Sequence, residues 1–283
     1  MTCVRGDQAR WRSPHGAPAD APRSKLGAGL VVVAVGFVLA GCTVPGFGMS
    51  PGITKQGHDT FRLWVGTFIA GLAVAVFVYL LIAWAIFAYR RRDDAMPPQF
   101  HSAIRLEVVY VTIPLLIVAT LFYFTVVTEN QVNAISPHPD QVVKVVAYRW
   151  GWRFTYADGA HRLEGVTIAT NGEPHALPQA NTSALYPQLV LPLGEITEID
   201  LTSTDVIHAM YVPAMNFSRQ AVPGYANVFD FTPTTTGVFS GQCVQYCGLY
   251  HAEMLFSVRV MPPAAFRQWL GDTQARQAAA GGT

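Results

Sequence analysis

Gly241-Gln242-Cys243-Val244-Gln245-Tyr246-Cys247-Gly248-Leu249-Tyr250-His251-Ala252-Glu253-Met254 is the stretch whose reading decides the fold. Its spacing is Cys-x3-Cys-x3-His-x2-Met, and a further histidine, His208, lies upstream after Asp205-Val206-Ile207. Thiolate and imidazole bind copper well, and a weak thioether helps to set its potential, so one cysteine, two histidines and a methionine make a blue-copper ligand set. Cys243 is the additional element, because two thiolates on one loop can bridge two coppers lying close together. Taken alone, Cys243 and Cys247 could equally form a disulfide in an exported domain. A zinc site would leave the methionine unused.

Outward from this loop the sequence reads as β structure. Val142–Tyr148, Glu195–Ser203, Tyr225–Phe231 and Met254–Met261 are rich in β-branched and aromatic residues and are bounded by turn formers. In the last of them Phe256, Val258 and Val260 alternate with Leu255, Ser257 and Arg259, the period of a half-buried strand. Short strands without intervening helix predict a sandwich or barrel. A final helix is predicted after Pro262-Pro263, through Phe266 and Trp269. No role is assigned to the segment Asn171–Pro187.

Further upstream the chain turns apolar. It is 51% hydrophobic and 13% charged with a mean hydropathy of +0.27, which directs attention to membrane spans, while a net charge of +1 gives no case for nucleic acid. Leu63–Tyr89 and Val108–Thr128 carry no charge, and each is long enough to cross a bilayer core of about 30 Å. Arg90-Arg91-Arg92-Asp93-Asp94 and Arg105 lie between them, so by the positive-inside rule this short loop is cytoplasmic and the C-terminal domain is outside. Arg23 and Lys25, the uncharged run Leu26–Ala40 and Gly41-Cys42 read as an export signal. Leu39-Ala40-Gly41-Cys42 resembles a bacterial lipoprotein cleavage box, which implies a lipidated Cys42 as first mature residue; the alternative is a third membrane helix. The expected organisation is a signal over 1–41, an outer segment over 42–60, a hairpin over 61–130 and a β domain with its C-terminal helix over 131–283.

In this order of hairpin, aromatic segment, β domain and copper loop, the chain resembles subunit II of cytochrome c oxidase over nearly all of its mature length. The resemblance implies a cupredoxin-like domain with a binuclear copper A centre. Cys243 and Cys247 would bridge two copper ions; His208 and Met254 would serve one, His251 and the backbone carbonyl of Gln245 the other. It implies subunits I and III, cytochrome c and the lipid bilayer as partners, in a bacterial plasma membrane. Electrons would arrive through Trp150 in Tyr148-Arg149-Trp150-Gly151-Trp152, with Trp152 as its inward, packing neighbour and Asp205 near the docking face. Glu107, seven residues before Pro114, matches a glutamate at the mouth of a proton-uptake path, or is simply a helix N-terminal charge. Gln245 stands where the family has a glutamate that helps to hold magnesium, and a neutral amide is a poorer ligand for that hard cation. Acidic residues are sparse around Arg153 and Ser218-Arg219-Gln220, which suits a membrane-tethered or complex-bound cytochrome better than a free basic one. Competing readings are a copper-free quinol-oxidase subunit, a copper A module of a nitric-oxide or nitrous-oxide reductase, and an exported lipoprotein with a Cys243–Cys247 disulfide.

Overall fold

The computed structural model describes residues 46–90, 102–157, 167–169 and 186–281. The export signal, Cys42, Arg91–Asp94 and most of the segment Asn171–Pro187 lie outside the described residues.

Among the described residues two long helices come first, α1 (Lys55–Ala88) and α2 (Ile104–Val132), and both are long and apolar enough to cross a membrane. Helix α1 starts eight residues before the expected Leu63. The side chain of Thr54 caps it by accepting from the backbone N–H of Gly57 at 3.0 Å. Its opening turns carry Lys55, Asp59 and Arg62, which a charge-free window excludes. At 1.5 Å per residue the helix is about 51 Å long, well beyond a 30 Å hydrocarbon core, so those polar turns fit outside it. Helix α2 likewise exceeds Val108–Thr128 at both ends and accommodates Pro114.

The start of α1 is fastened to the domain beyond. Gly57 approaches the 3-10 turn Pro213–Met215 so closely that a Cβ there would lie 2.6 Å from the Met215 carbonyl oxygen. Asn216, in the left-handed region at φ 52°, follows that turn, and its Nδ2 donates to the carbonyls of Ser50 (2.8 Å) and Gly57 (3.3 Å). At the end of α2, Arg219 donates to the side-chain oxygen of Asn133.

The domain consists of strands β1 (Gln141–Tyr148), β2 (Gly151–Tyr156), β3 (Thr167–Ala169), β4 (Gln188–Pro192), β5 (Thr197–Ser203), β6 (His208–Val212), β7 (Phe217–Ala221), β8 (Asn227–Phe231), β9 (Gly237–Cys243) and β10 (Leu255–Met261), followed by helix α3 (Pro263–Gly281). They form two five-stranded sheets, ordered β3-β2-β1-β5-β8 and β4-β10-β9-β6-β7. In β5, Thr197, Ile199, Leu201 and Ser203 are buried while the residues between them are half-exposed. The core lies between the sheets: Trp152, Phe154, Ile199, Leu201 and Phe229 from one meet Leu189, Leu191, Met210 and Phe256 from the other. Helix α3 closes the edge, with Trp269 edge-on to the buried ring of Tyr156 at 5.3 Å.

The fold is therefore the expected membrane hairpin, β-sandwich and C-terminal helix. The four expected strands are β1, β5, β8 and β10, with starts shifted by one or two residues. The other six strands, β2, β3, β4, β6, β7 and β9, are not among those the sequence predicts. Gly237 and Gly241 make β9 read as turn, yet Gly241 is placed where a Cβ would meet the Phe256 ring at 2.3 Å.

Candidate metal centre

Strand pairing brings the two chemically rich segments together. Strand β6 starts at His208 and pairs with β9, Met210 opposite Cys243. Strand β9 ends at Cys243, and Leu255, the first residue of β10, lies opposite Gln242. Residues 244–254 are thus an excursion from the end of one hairpin, pinned at its base by the Cys243 N–H to Met254 carbonyl bond (3.0 Å). Val244 donates to the Ala209 carbonyl at 3.1 Å, tying the loop to the start of β6.

The side chains converge on the two sulfurs. Cys243 Sγ lies 4.0 Å from His208 Nδ1 and 3.3 Å from the Gln245 carbonyl oxygen. Cys247 Sγ lies 3.5 Å from His251 Nδ1 and 3.8 Å from Met254 Sδ. One ligand atom each from His208, Cys243 and Cys247 falls within 4.8 Å of the others, and all three residues are buried. Donors sharing one metal ion at about 2.0–2.3 Å stand roughly 3.5 Å apart, so these spacings fit a shared metal. Both cysteines are free thiols.

The second nitrogen of His208 is also fixed. Nε2 lies 2.9 Å from Asp205 Oδ1, the carboxylate–imidazole arrangement that directs the other ring nitrogen toward a metal. Burial raises the Asp205 pKa, but bonds from His208 and from the amides of Val206 and Arg149 outweigh it and hold the carboxyl down at about 2. Burial pulls His208 down, but its bonds to Cys243 and Asp205 prevail and raise it. Cys243 is lowered: burial acts upward, and His208 with the backbone at Ala209 and Gln245 overcomes it. Cys247 is pushed up to about 12 by burial and then by the charge of Cys243. The two sulfurs are thus held in unlike surroundings, Cys243 against His208 and Cys247 against Cys243. Two sulfurs, two imidazoles and a thioether are a donor set that suits a soft metal ion.

Both tryptophans touch this loop. Trp150 Nε1 donates to the Cys247 carbonyl at 3.2 Å, and its ring stands edge-on to Tyr250 at 5.0 Å. Gly248, at φ 120°, makes room for it, since a Cβ there would lie 3.1 Å from the indole. Trp152 is fully buried, donates to the Met254 carbonyl at 3.3 Å and packs on Phe256, in keeping with the packing role expected of it.

A family model described as cytochrome C oxidase subunit II, periplasmic domain, matches residues 141–261. A probable cytochrome c oxidase subunit 2 of Streptomyces avermitilis is 34% identical, the alignment covering 92% of this chain and 91% of that protein. The chain belongs to the cytochrome c oxidase subunit 2 family. The subunit 2 of Mycobacterium tuberculosis is 33% identical over 93% of this chain and 85% of its own. Among solved structures, the periplasmic domain of subunit II of the Bradyrhizobium japonicum oxidase is similar, with 27% identity, a TM-score of 0.44, and 50% of this chain and 99% of that one covered. As a family member the chain is a subunit of an oxidoreductase complex, and its copper and electron-transport chemistry follow from that membership.

The structure gathers His208, Cys243, Gln245, Cys247, His251 and Met254 into one cluster, with Trp150 against it. Glu107 is elsewhere, in the first turn of α2, where its Oε1 accepts from the Ala103 N–H at 3.1 Å. Sequence reading missed the hydrogen bonds of Asp205 to His208 and Arg149, for which the three-residue spacing of Asp205 and His208 was the available signal.

Proposed function

We propose that this subunit holds two copper ions between Cys243 and Cys247, receives electrons from cytochrome c through Trp150 and delivers them to the haem-bearing subunit I, with subunit III as a further partner, in a bacterial plasma membrane. The observation that carries the reading is that each sulfur has one donor from each half of the ligand set. Cys243 faces His208 and the Gln245 carbonyl, and Cys247 faces Met254 and His251. His208 with Met254 would then hold one copper, and His251 with the Gln245 carbonyl the other. Held this way, the copper would supply an electron-transfer centre whose shape changes little on reduction. The chain's own contribution is to hold six donors in place, keep water from the sulfurs and place an indole on the Cys247 carbonyl. The full-length subunit in detergent, loaded with copper, should be purple with a seven-line electron paramagnetic resonance pattern. A four-line spectrum, or a colourless chain with a Cys243–Cys247 disulfide, would overturn the reading.

The segments that carry the two cysteines and His208 present exposed apolar and aromatic side chains. Ile207, Val244, Tyr246 and Leu249 are exposed, and the nearby charges Arg149 and Asp205 pair with each other at 3.4 Å. Steering by charge is therefore weak, and the donor we propose is a tethered or complex-bound cytochrome. Between 50 and 200 mM salt, donor oxidation by the intact oxidase should change by less than roughly threefold, measured by stopped flow. A steep fall with salt would point to a free, basic donor instead.

We also propose that Glu107 opens a proton-uptake path into subunit I from the cytoplasmic start of α2, besides capping that helix. In Glu107→Gln oxidase, turnover should fall with the copper spectrum unchanged. Wild-type turnover would leave the residue as a cap alone. Lipidation of Cys42 is proposed in the same way, and mass spectrometry of the mature protein checks it: an unmodified peptide spanning Ala40 to Thr43 would exclude it.

A further inference from the structure

The Asp205 carboxylate is bonded by four residues, Ser203 (3.4 Å to Oδ1), Val206 and His208 from its own turn and Arg149 from another. Its Oδ1 lies 2.9 Å from His208 Nε2 and accepts from the Val206 N–H at 2.6 Å. Its Oδ2 accepts from the backbone N–H of Arg149 at 2.7 Å and from the Arg149 Nε at 3.4 Å. The hydroxyl of Ser203, which donates to the Val206 carbonyl at 2.6 Å, closes the turn in which Asp205 sits. Arg149 is the residue immediately before Trp150, in the turn between β1 and β2. One carboxylate therefore grips a residue of the proposed ligand set with one oxygen and the backbone beside the proposed electron-receiving indole with the other. Nothing in the binding of copper requires the second grip, and nothing in packing the β1–β2 turn requires the first.

We propose that Asp205 is a positioning residue that couples the electron-receiving turn to the copper centre, so that the placement of Trp150 and the ligand strength of His208 are set by the same carboxylate. The proposal rests on the copper reading above. A carboxylate on the outer nitrogen of a ligating imidazole fixes its orientation and makes it a stronger donor, which favours the oxidised metal. The same carboxylate holds the Arg149 amide, and with it the Trp150 ring that donates to the Cys247 carbonyl. The exposed Arg149 side chain, paired with Oδ2, is the part of this link that a docking partner can reach.

The test uses the intact oxidase carrying Asp205→Asn. A carboxamide has a single oxygen, so it cannot accept on both sides at once. Three readouts are expected to move together: the copper potential rises, the hyperfine coupling from the His208 nitrogen changes, and electron uptake from cytochrome c slows by about tenfold or more, within the range for outer-shell partners. Uptake that slows at an unchanged potential and hyperfine coupling, or a shifted potential with uptake unchanged, would show two separate roles and overturn the coupling. Arg149→Ala keeps the backbone amide and alters a half-exposed side chain, so it carries the test if Asp205→Asn fails to assemble. There the carboxylate, relieved of its cation, is expected to lower the copper potential while uptake slows, and an unmoved potential overturns the proposal. With both variants in hand, the double variant should be no slower than Asp205→Asn alone, whereas additive effects argue against a shared link. If wild-type oxidase lacks the seven-line spectrum, it is the copper reading that fails, and the coupling falls with it.

Discussion

Replacing Cys243 by serine is expected to abolish the two-copper spectrum and to reduce cytochrome c oxidation by at least about a hundredfold, beyond the tenfold to hundredfold typical of outer-shell changes. Serine is nearly the same size, so the loop base keeps its Cys243 N–H to Met254 carbonyl bond and the fold should survive. What is lost is chemical. A hydroxyl does not ionise near neutral pH and is a hard donor, whereas the thiol here is already drawn toward thiolate by His208. His251 and Met254 remain within 3.8 Å of the Cys247 sulfur, so a single copper can still bind. The variant should therefore show at most a four-line spectrum. A persisting seven-line pattern in Cys243→Ser would mean that the bridging thiolates lie elsewhere, and would remove the assignment.

How much of this was legible in the sequence depended on which physical signal each element carries. The membrane hairpin announces itself through long runs without charge, but its ends do not, because the polar turns of α1 at Lys55, Asp59 and Arg62 stand outside any hydrophobic window. Strands with clean alternation or strong β-branching, such as β5 and β10, could be read directly. Strands β6 and β7 could not: His208 opens one, and Ser218, Arg219 and Gln220 make the other look like loop. Their place in the sheet comes from pairing with each other and of β6 with β9, a long-range constraint that no local window contains.

The site was more legible than the fold around it, because six donors fall into two short segments and their spacing is chemically restrictive. The outer contacts were not. Asp205 could be placed near a docking face by resemblance, yet its hold on both His208 and Arg149 needs the β1–β2 turn to fold beside the β5–β6 turn. That neighbourhood follows from the parallel pairing of β1 with β5, which sets Ala147 opposite Ser203. Similarly, the need for glycine at position 248 becomes plain only once the Trp150 ring is known to lie over it.

For Trp150→Phe, electron uptake from cytochrome c is expected to slow on the order of a hundredfold while the copper spectrum stays that of the wild type. Phenylalanine keeps an aromatic face for Tyr250, whose ring now stands edge-on at 5.0 Å, but it has no N–H for the Cys247 carbonyl. The hydrogen bond joins the indole to the backbone of a proposed bridging residue, so its loss breaks a hydrogen-bonded path from the indole to the Cys247 sulfur. The donor atoms are untouched, because the Trp150 N–H bonds to the backbone carbonyl of Cys247 and not to its sulfur. Docking should be little affected, since Ile207, Val244 and Leu249 remain exposed around the site. The maximal rate should therefore fall far more than the apparent affinity for the donor, which separates a transfer role from a binding one. Stopped-flow reduction of the intact oxidase, followed at the copper band, measures both. An unchanged maximal rate would remove Trp150 as the point of electron arrival and leave its indole as packing for the Gly248 turn.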